Sequence, residues 1–354
     1  MSIGFVVNPL AGSGGPLALK GSDSIDPALA SGSDWAEARA IRALAGLAGR
    51  PVRLLAGAGP MGETAAAAAG LAVTIVHRPA APSTGADTTA CVRACVAAGA
   101  DLILFVGGDG TARDVLAAAP AVPVLGVPAG VKMHSGVFAP SPATAAAILA
   151  DLADGDHRAT VEAEVIDRDA DGHMHLYGRL PVLAGKARQA AKAAGPDTDT
   201  ALAGAVAAAA ALVRAEPLCF IGPGLTMLAL KRALGSAGTM LGVDVFALGR
   251  PVLADATQAQ LLDLAHTATP RLVLGVVGGQ GYLLGRGNQQ LGRAVLARAG
   301  WPPMVLASAA KLAALPGGRL LVDTGDEALD QHLAGHVQVR TGPRQSMMMR
   351  IDAA

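Results

Sequence analysis

The 354-residue chain is predicted to be an α/β protein with two domains. A parallel-sheet domain is expected over residues 1–150 and a strand-rich α+β domain over 151–354. Three observations predict this. Short apolar runs alternate with helix-patterned stretches through the first 150 residues, the pattern of a parallel sheet with helices on both faces. Two glycine-rich turns each follow an apolar run directly, at the strand ends where open α/β sheets hold ligands. Near residues 145–155 the alternation gives way to runs that read as antiparallel strands.

Ile3–Val7 is the first strand, and it feeds Asn8-Pro9-Leu10-Ala11-Gly12-Ser13-Gly14-Gly15. Asp34 with Glu37 three residues on has the form of a capping box, opening a helix over Trp35–Ala48 with an apolar face at Trp35, Ala38, Ile41, Ala45 and Ala48. Strands then follow at Val52–Ala56, Leu71–His77, Leu102–Val106 and Pro123–Val127, with helices at Gly62–Gly70, Asp87–Ala98 and Thr111–Ala119 between them. A helix near Ala143–Ala153 closes this part. Thr160–Ile166 and His173–Leu180 read as an antiparallel pair. Helices at Ala203–Val213 and Thr226–Leu234 mix with strands at Leu218–Ile221, Gly242–Phe246, Leu272–Val277, Val305–Ser308, Arg319–Val322 and Val337–Thr341. The last strands suit either domain.

Composition narrows the function classes. Hydrophobic residues make up 52% of the chain, much of it alanine, so a core is assured and no membrane span is implied. No run reaches the roughly 18 uninterrupted apolar residues that a span needs. Lys+Arg and Asp+Glu balance at 28 each and aromatics are 3%, which leaves neither a basic stripe nor stacking platforms for nucleic acid. Cys91, Cys95 and Cys219 make neither a disulfide framework nor a zinc site. The chain opens on a strand without a basic leader, so a reduced, cytoplasmic setting is expected.

The most informative stretch is Asp101–Asp114. Leu102–Val106 reads as a buried strand, Gly107, Gly108 and Gly110 as a turn, and Thr111 as the start of a helix. A strand, a glycine turn and a helix start together expose backbone N–H groups backed by a positive dipole end, a cradle for phosphate. Asp109 stands inside that turn. A carboxylate beside phosphates suits either a metal-linked residue or a general base for an attacking hydroxyl.

Gly107-Gly108-Asp109-Gly110-Thr111 resembles the signature of the NAD kinase and diacylglycerol kinase superfamily. Val7–Gly12 resembles the opening strand and loop of that superfamily. Val127–Ala139, Gly278-Gly279-Gln280-Gly281, Gly285–Gln290 and Val322–Asp326 are similar to a narrower, ATP-NAD kinase-like branch that includes the acetoin-catabolism protein X. The resemblance implies a Rossmann-like first domain, a strand-rich second domain and a cleft between them. It implies phosphoryl transfer from ATP or polyphosphate, with Mg2+, to a hydroxyl of a small molecule, the NAD 2′-hydroxyl being the first candidate. Asp109 would take the hydroxyl proton. Asn8, Gly12, Gly14, Gly107, Gly108, Gly110 and Thr111 would surround the donor phosphates. A homo-oligomer is expected.

Other residues enter on their chemistry. Lysines are six in number, so Lys132 near a strand end is a candidate for a phosphate. Its neighbours His134 and Ser135 suit hydroxyl or ribose contacts. Lys20 follows the first glycine turn, but no Gly-Lys-Ser/Thr makes it a Walker loop. Arg286 offers a bidentate fork, and Gln280, Asn288 and Gln289 can read a base or sugar edge. Asp323 and Asp326 either hold a turn and cap a helix from Glu327 or help to position magnesium. One departure from the NAD kinase pattern bears on the acceptor: the only asparagines are Asn8 and Asn288, and neither precedes an acidic residue, whereas NAD kinases carry an Asn-Glu or Asn-Asp pair. The alternatives are a kinase for another metabolite (an acetoin-pathway compound, a polyol or a nucleoside) and a nucleotide-binding regulator without turnover.

Overall fold

A computed structural model describes residues 1–18, 34–130, 133–168, 174–184, 200–277 and 281–354. The chain divides into two compact units, Met1–Ser13 with Gly21–Ala191, and Gly14–Lys20 with Lys192–Ala354.

The first unit is built on a sheet in the order β3-β2-β1-β4-β5-β7-β6. Its first five strands are β1 (Ser2–Val7), β2 (Arg53–Gly57), β3 (Val73–His77), β4 (Leu102–Gly107) and β5 (Val124–Pro128), all parallel. Strands β1 and β4 are buried on both faces, which is why they read as unbroken apolar runs. The connecting helices are α1 (Trp35–Leu44), α2 (Glu63–Ala68), α3 (Gly85–Ala97) and α4 (Asp109–Ala118). Two apolar clusters form the core, one with Phe5, Leu104 and Leu44, the other with Phe105, Val92 and Phe138. Register fixes the working edge: Val7 lies beside Val106 and Gly107 beside Pro128, so the turns after β1, β4 and β5 emerge side by side.

Helix α5 (Pro142–Ala153) leads to a hairpin of β6 (Thr160–Arg168) and β7 (Met174–Leu183). The hairpin was expected beyond a boundary at residue 150. Instead β7 joins β5 in parallel through Val124 and Val182, and the first unit continues to Ala191. A local sequence reading sees the antiparallel pairing but not this long-range partner.

The second unit carries a nine-stranded mixed sheet in the order β10-β9-β8-β11-β13-β15-β16-β14-β12. The strands are β8 (Cys219–Ile221), β9 (Asp244–Ala247), β10 (Arg250–Leu253), β11 (Arg271–Gly275), β12 (Tyr282–Leu284), β13 (Gly300–Leu306), β14 (Arg319–Val322), β15 (Gly335–Arg340) and β16 (Ser346–Ala353). Its helices are α6 (Thr200–Val213), α7 (Leu225–Ala233), α8 (Gln258–Ala265), α9 (Arg293–Leu296), α10 (Ala309–Ala313) and α11 (Glu327–Leu333). The last strands belong here and do not return to the first sheet. Among the described residues no helix is long and apolar enough to cross a membrane.

Two expectations at helix starts change. Asp34 makes no capping bond to α1, because its backbone (φ −76°, ψ 10°) lacks the extended conformation that turns an N-cap side chain onto the first turn. Helix α4 begins at Asp109 rather than Thr111, which makes Gly108 its N-cap.

Candidate active site

The turn after β4 is made by close approach of backbones. Ala129 and Gly130 donate their amides to the Gly107 carbonyl at 2.8 and 3.2 Å. A Cβ on Gly108 would sit 3.1 Å from the Gly130 Cα, and one on Gly107 would strike the Thr111 side chain. Glycines at 108 and 130 therefore let the turns after β4 and β5 cross, and the one at 107 leaves room for Thr111. Gly108 has no side chain with which to cap α4, and no capping bond is made. The first-turn amides of this ten-residue helix lack intrahelical partners by geometry, so they suit an anionic ligand such as a nucleotide phosphate.

The residues expected around donor phosphates divide between two jobs. Asn8 donates from Nδ2 to the Thr111 hydroxyl at 2.9 Å and accepts the Leu10 amide at 3.0 Å. It ties the turn after β1 to the start of α4. Gly12 (φ +80°) packs against Trp35, whose indole N–H donates to the Ala129 carbonyl at 3.0 Å. Both residues build the platform, and the Asn8 carboxamide and Thr111 hydroxyl are bonded to each other. Gly14 falls in the second unit. Lys20, Lys132 and Gln280 lie outside the described residues.

Asp109 is the acidic group of this platform. It is only 4% exposed. Its carboxylate accepts the amide of His134 at 2.6 Å and the amide of Ser135 at 3.0 Å, one on each oxygen. Burial pushes the carboxyl up to about 6, against the Ser135 and His134 amides, which pull it down; the Asp167 carboxylate adds to the rise. Each carboxylate oxygen still has a lone pair beyond the amide it accepts, and a base poised near neutrality is what proton abstraction requires.

Ser135 was expected to touch substrate and does something else. It is fully buried, and its hydroxyl donates to the Ile166 carbonyl and accepts the Ile166 amide, both at 3.0 Å. The β6–β7 register shifts between Val165 and Ile166, and this bulge accompanies the use of Ile166 by Ser135. The Gly136 amide bonds to the Glu164 carbonyl at 2.9 Å. Strand β6 thus holds the loop whose amides hold Asp109. Arg113, one turn along α4 from Asp109, pairs with Asp167 of β6 at 3.2 Å and lies over the Tyr177 ring of β7 at 4.2 Å. The sequence reading missed Arg113 and Asp167. The (i, i+4) spacing from Asp109 was the available signal.

In the second unit the loop after β12 is organised around Asn288. Its Oδ1 accepts the Gly285 amide at 2.9 Å and its Nδ2 donates to the Leu283 carbonyl at 2.8 Å. Asn288 therefore folds its own loop rather than presenting its carboxamide to a substrate. Arg286 is buried over the Tyr282 ring at 4.7 Å, with Asp323 at 3.7 Å. That environment replaces the expected phosphate fork. Gln289, 6% exposed, has neither carboxamide atom bonded.

The magnesium expectation for Asp323 and Asp326 is not supported. Asp323 faces Arg286. Asp326 caps α11 by accepting the Leu329 amide at 3.0 Å, and it pairs with Arg293. Among the described residues no three His, Cys, Asp or Glu side chains converge to hold a metal. Elsewhere, Lys231 is fully buried and satisfied by Asp244 at 3.2 Å and the carbonyls of Thr239 and Gly242 at 2.8 and 3.0 Å, a structural clamp within the second unit.

The parallel sheet, the uncapped helix start and the buried carboxylate beside it place the chain among α/β proteins whose strand ends suit an anionic ligand. Comparison with known families is more specific. Residues 3–157 match the ATP-NAD kinase N-terminal domain, and residues 216–351 match the ATP-NAD kinase C-terminal domain. The chain belongs to the ATP-NAD kinase family, and with both domains present it is a kinase using ATP as phosphoryl donor. No match was found among the curated proteins or the solved structures.

Proposed function

We propose that this kinase phosphorylates a hydroxyl of a small molecule and that Asp109 is the general base. The acceptor oxygen forms a bond to the γ-phosphorus of ATP, the bond to the β–γ bridging oxygen breaks, ADP leaves, and the hydroxyl proton passes to Asp109. The observation that carries this reading is one of placement. A buried carboxylate raised to about 6 stands at the first position of a helix whose opening amides are uncapped. The amides suit the donor's phosphates and the carboxylate suits the acceptor's proton. His134 and Ser135 contribute through their amides, which orient the base.

The NAD 2′-hydroxyl is the first acceptor to test. The chain lacks the Asn-acid pair, and the carboxamides of both asparagines are bonded within the fold, Asn8 to Thr111 and Leu10, Asn288 to Leu283 and Gly285. Another metabolite hydroxyl is therefore the competing reading. A regulator that binds nucleotide without turnover has no use for a poised carboxylate beside an anion.

The test offers Mg-ATP with NAD, NADH, nucleosides and small polyols and reads ADP release. One acceptor should raise release above the ATPase background. Asp109→Asn should lower that turnover by about two to four powers of ten while sparing ATP affinity. ATP binding without turnover on any acceptor would favour the regulator.

A further inference from the structure

The loop from Gly285 to Gln290 is rigid for its size. Gly285 and Gly287 take φ of +86° and +75°, Asn288 bonds to Leu283 and Gly285, and the Leu291 amide closes on the Asn288 carbonyl at 2.9 Å. A Cβ on Gly285 would strike the Asp323 carbonyl, so the turn is packed against its neighbour. Gly15 covers the stem of Gln289: a Cβ there would come within 2.7 Å of the Gln289 Cβ. Pro16 belongs to the same unit, and its carbonyl accepts the Gln258 amide at 2.8 Å.

Within this well-bonded loop the Gln289 carboxamide is the exception. Both Nε2 and Oε1 are buried and without a partner. An orphaned buried donor and acceptor are costly, and a side chain kept only for packing would avoid that cost as leucine or methionine. A glutamine here earns its place only if something pairs with it. The neighbouring Asn288 shows the contrast, since its identical head group is consumed by the loop itself.

We infer that Gln289 is a recognition residue that pairs with a planar ligand edge presenting one acceptor beside one donor. A primary carboxamide and the amino edge of adenine share that pattern. The inference deepens the kinase reading, resting on it for the choice of probes.

Titration calorimetry with the full chain, without turnover, separates the cases. Nicotinamide mononucleotide supplies the carboxamide without adenine, and AMP supplies adenine without the carboxamide. Gln289→Met keeps the volume and removes the pairing. We expect it to weaken one of the two probes at least tenfold while the ligand-free melting temperature stays level or rises. Gln289→Glu, which replaces the donor by an acceptor, should weaken the same probe. Loss for the mononucleotide identifies the carboxamide, and loss for AMP identifies the base. If both probes bind the Met variant as they bind the wild type, or the wild type binds neither, the inference is overturned. Asp109→Asn, run beside them, should bind both probes as the wild type does. A kinase without turnover but with Gln289-dependent binding would sink the reaction and leave this site standing.

Discussion

The two glycine loops use the same residue for opposite ends. At 108 and 130 the glycines let backbones touch, a Cβ on Gly108 falling 3.1 Å from the Gly130 Cα, and what the loop then offers is main-chain N–H groups. At 285 and 287 the glycines reach positive φ, and what that loop holds in place is side chains. The first loop keeps its one titratable group bonded to two amides. The second keeps a carboxamide bonded to nothing. A glycine-rich stretch is therefore not one kind of site. One loop suits an anion of any parentage, and the other suits a ligand with a particular edge.

The largest expected effects fall on the first loop. Raising the Asp109 carboxyl from 3.8 to about 6 means that the folded chain holds its proton more tightly than the unfolded chain does. The stabilising contribution of the protonated form is present below about 4 and is lost as pH rises through about 6. Two units correspond to about 3 kcal/mol at neutral pH as an upper figure. Asp109→Asn, the variant expected to lose turnover, should then melt higher than the wild type at pH 7. The gap should close on acidification to about pH 4. Denaturant unfolding across that range checks it, and a less stable Asn variant at pH 7 would contradict the raised carboxyl of the first loop.

Ser135→Ala comes next. It strands the Ile166 amide and carbonyl and should cost about 1–3 kcal/mol. It also loosens the loop whose amides hold the Asp109 carboxylate, so the acidic limb of the rate profile should move upward. A stability loss with no movement of that limb would reduce Ser135 to packing. In the second unit, Asn288→Ala should cost a similar amount in unfolding free energy, with no effect on the acidic limb. The smallest effect belongs to Asp326→Ala, which removes the cap of α11 and should lower stability by about 1 kcal/mol without changing turnover. A magnesium role for Asp326 would instead appear as a raised requirement for the metal.

Much of the first unit was legible because its signals are local. Strands β1 and β4 are buried on both faces and announce themselves as apolar runs. The glycine-aspartate turn at the end of β4 identified the working edge. What escaped depended on distant partners. The hairpin joins the first sheet through a single pairing of Val124 with Val182. Strands β10, β12 and β16 went unseen: two of them are only four and three residues long, and the Met-rich β16 shows little alternation. The polar residues of the site were found by type, but their bonding was not. Ser135 turns to Ile166 and Arg286 to Tyr282, with Asp323 close by. Whether a polar side chain serves the fold or a ligand is decided by such neighbours, and spacing along the chain does not carry that information.

The proposed phosphoryl transfer depends on a buried carboxylate that is ready to accept a proton near neutrality. The most direct measurement is the pH dependence of kcat/KM for whichever acceptor is phosphorylated. It should rise with pH through an acidic limb at about 6, the value burial gives Asp109. A limb near 4, where an ordinary aspartate titrates, or a profile flat from pH 5 to 7, would contradict it.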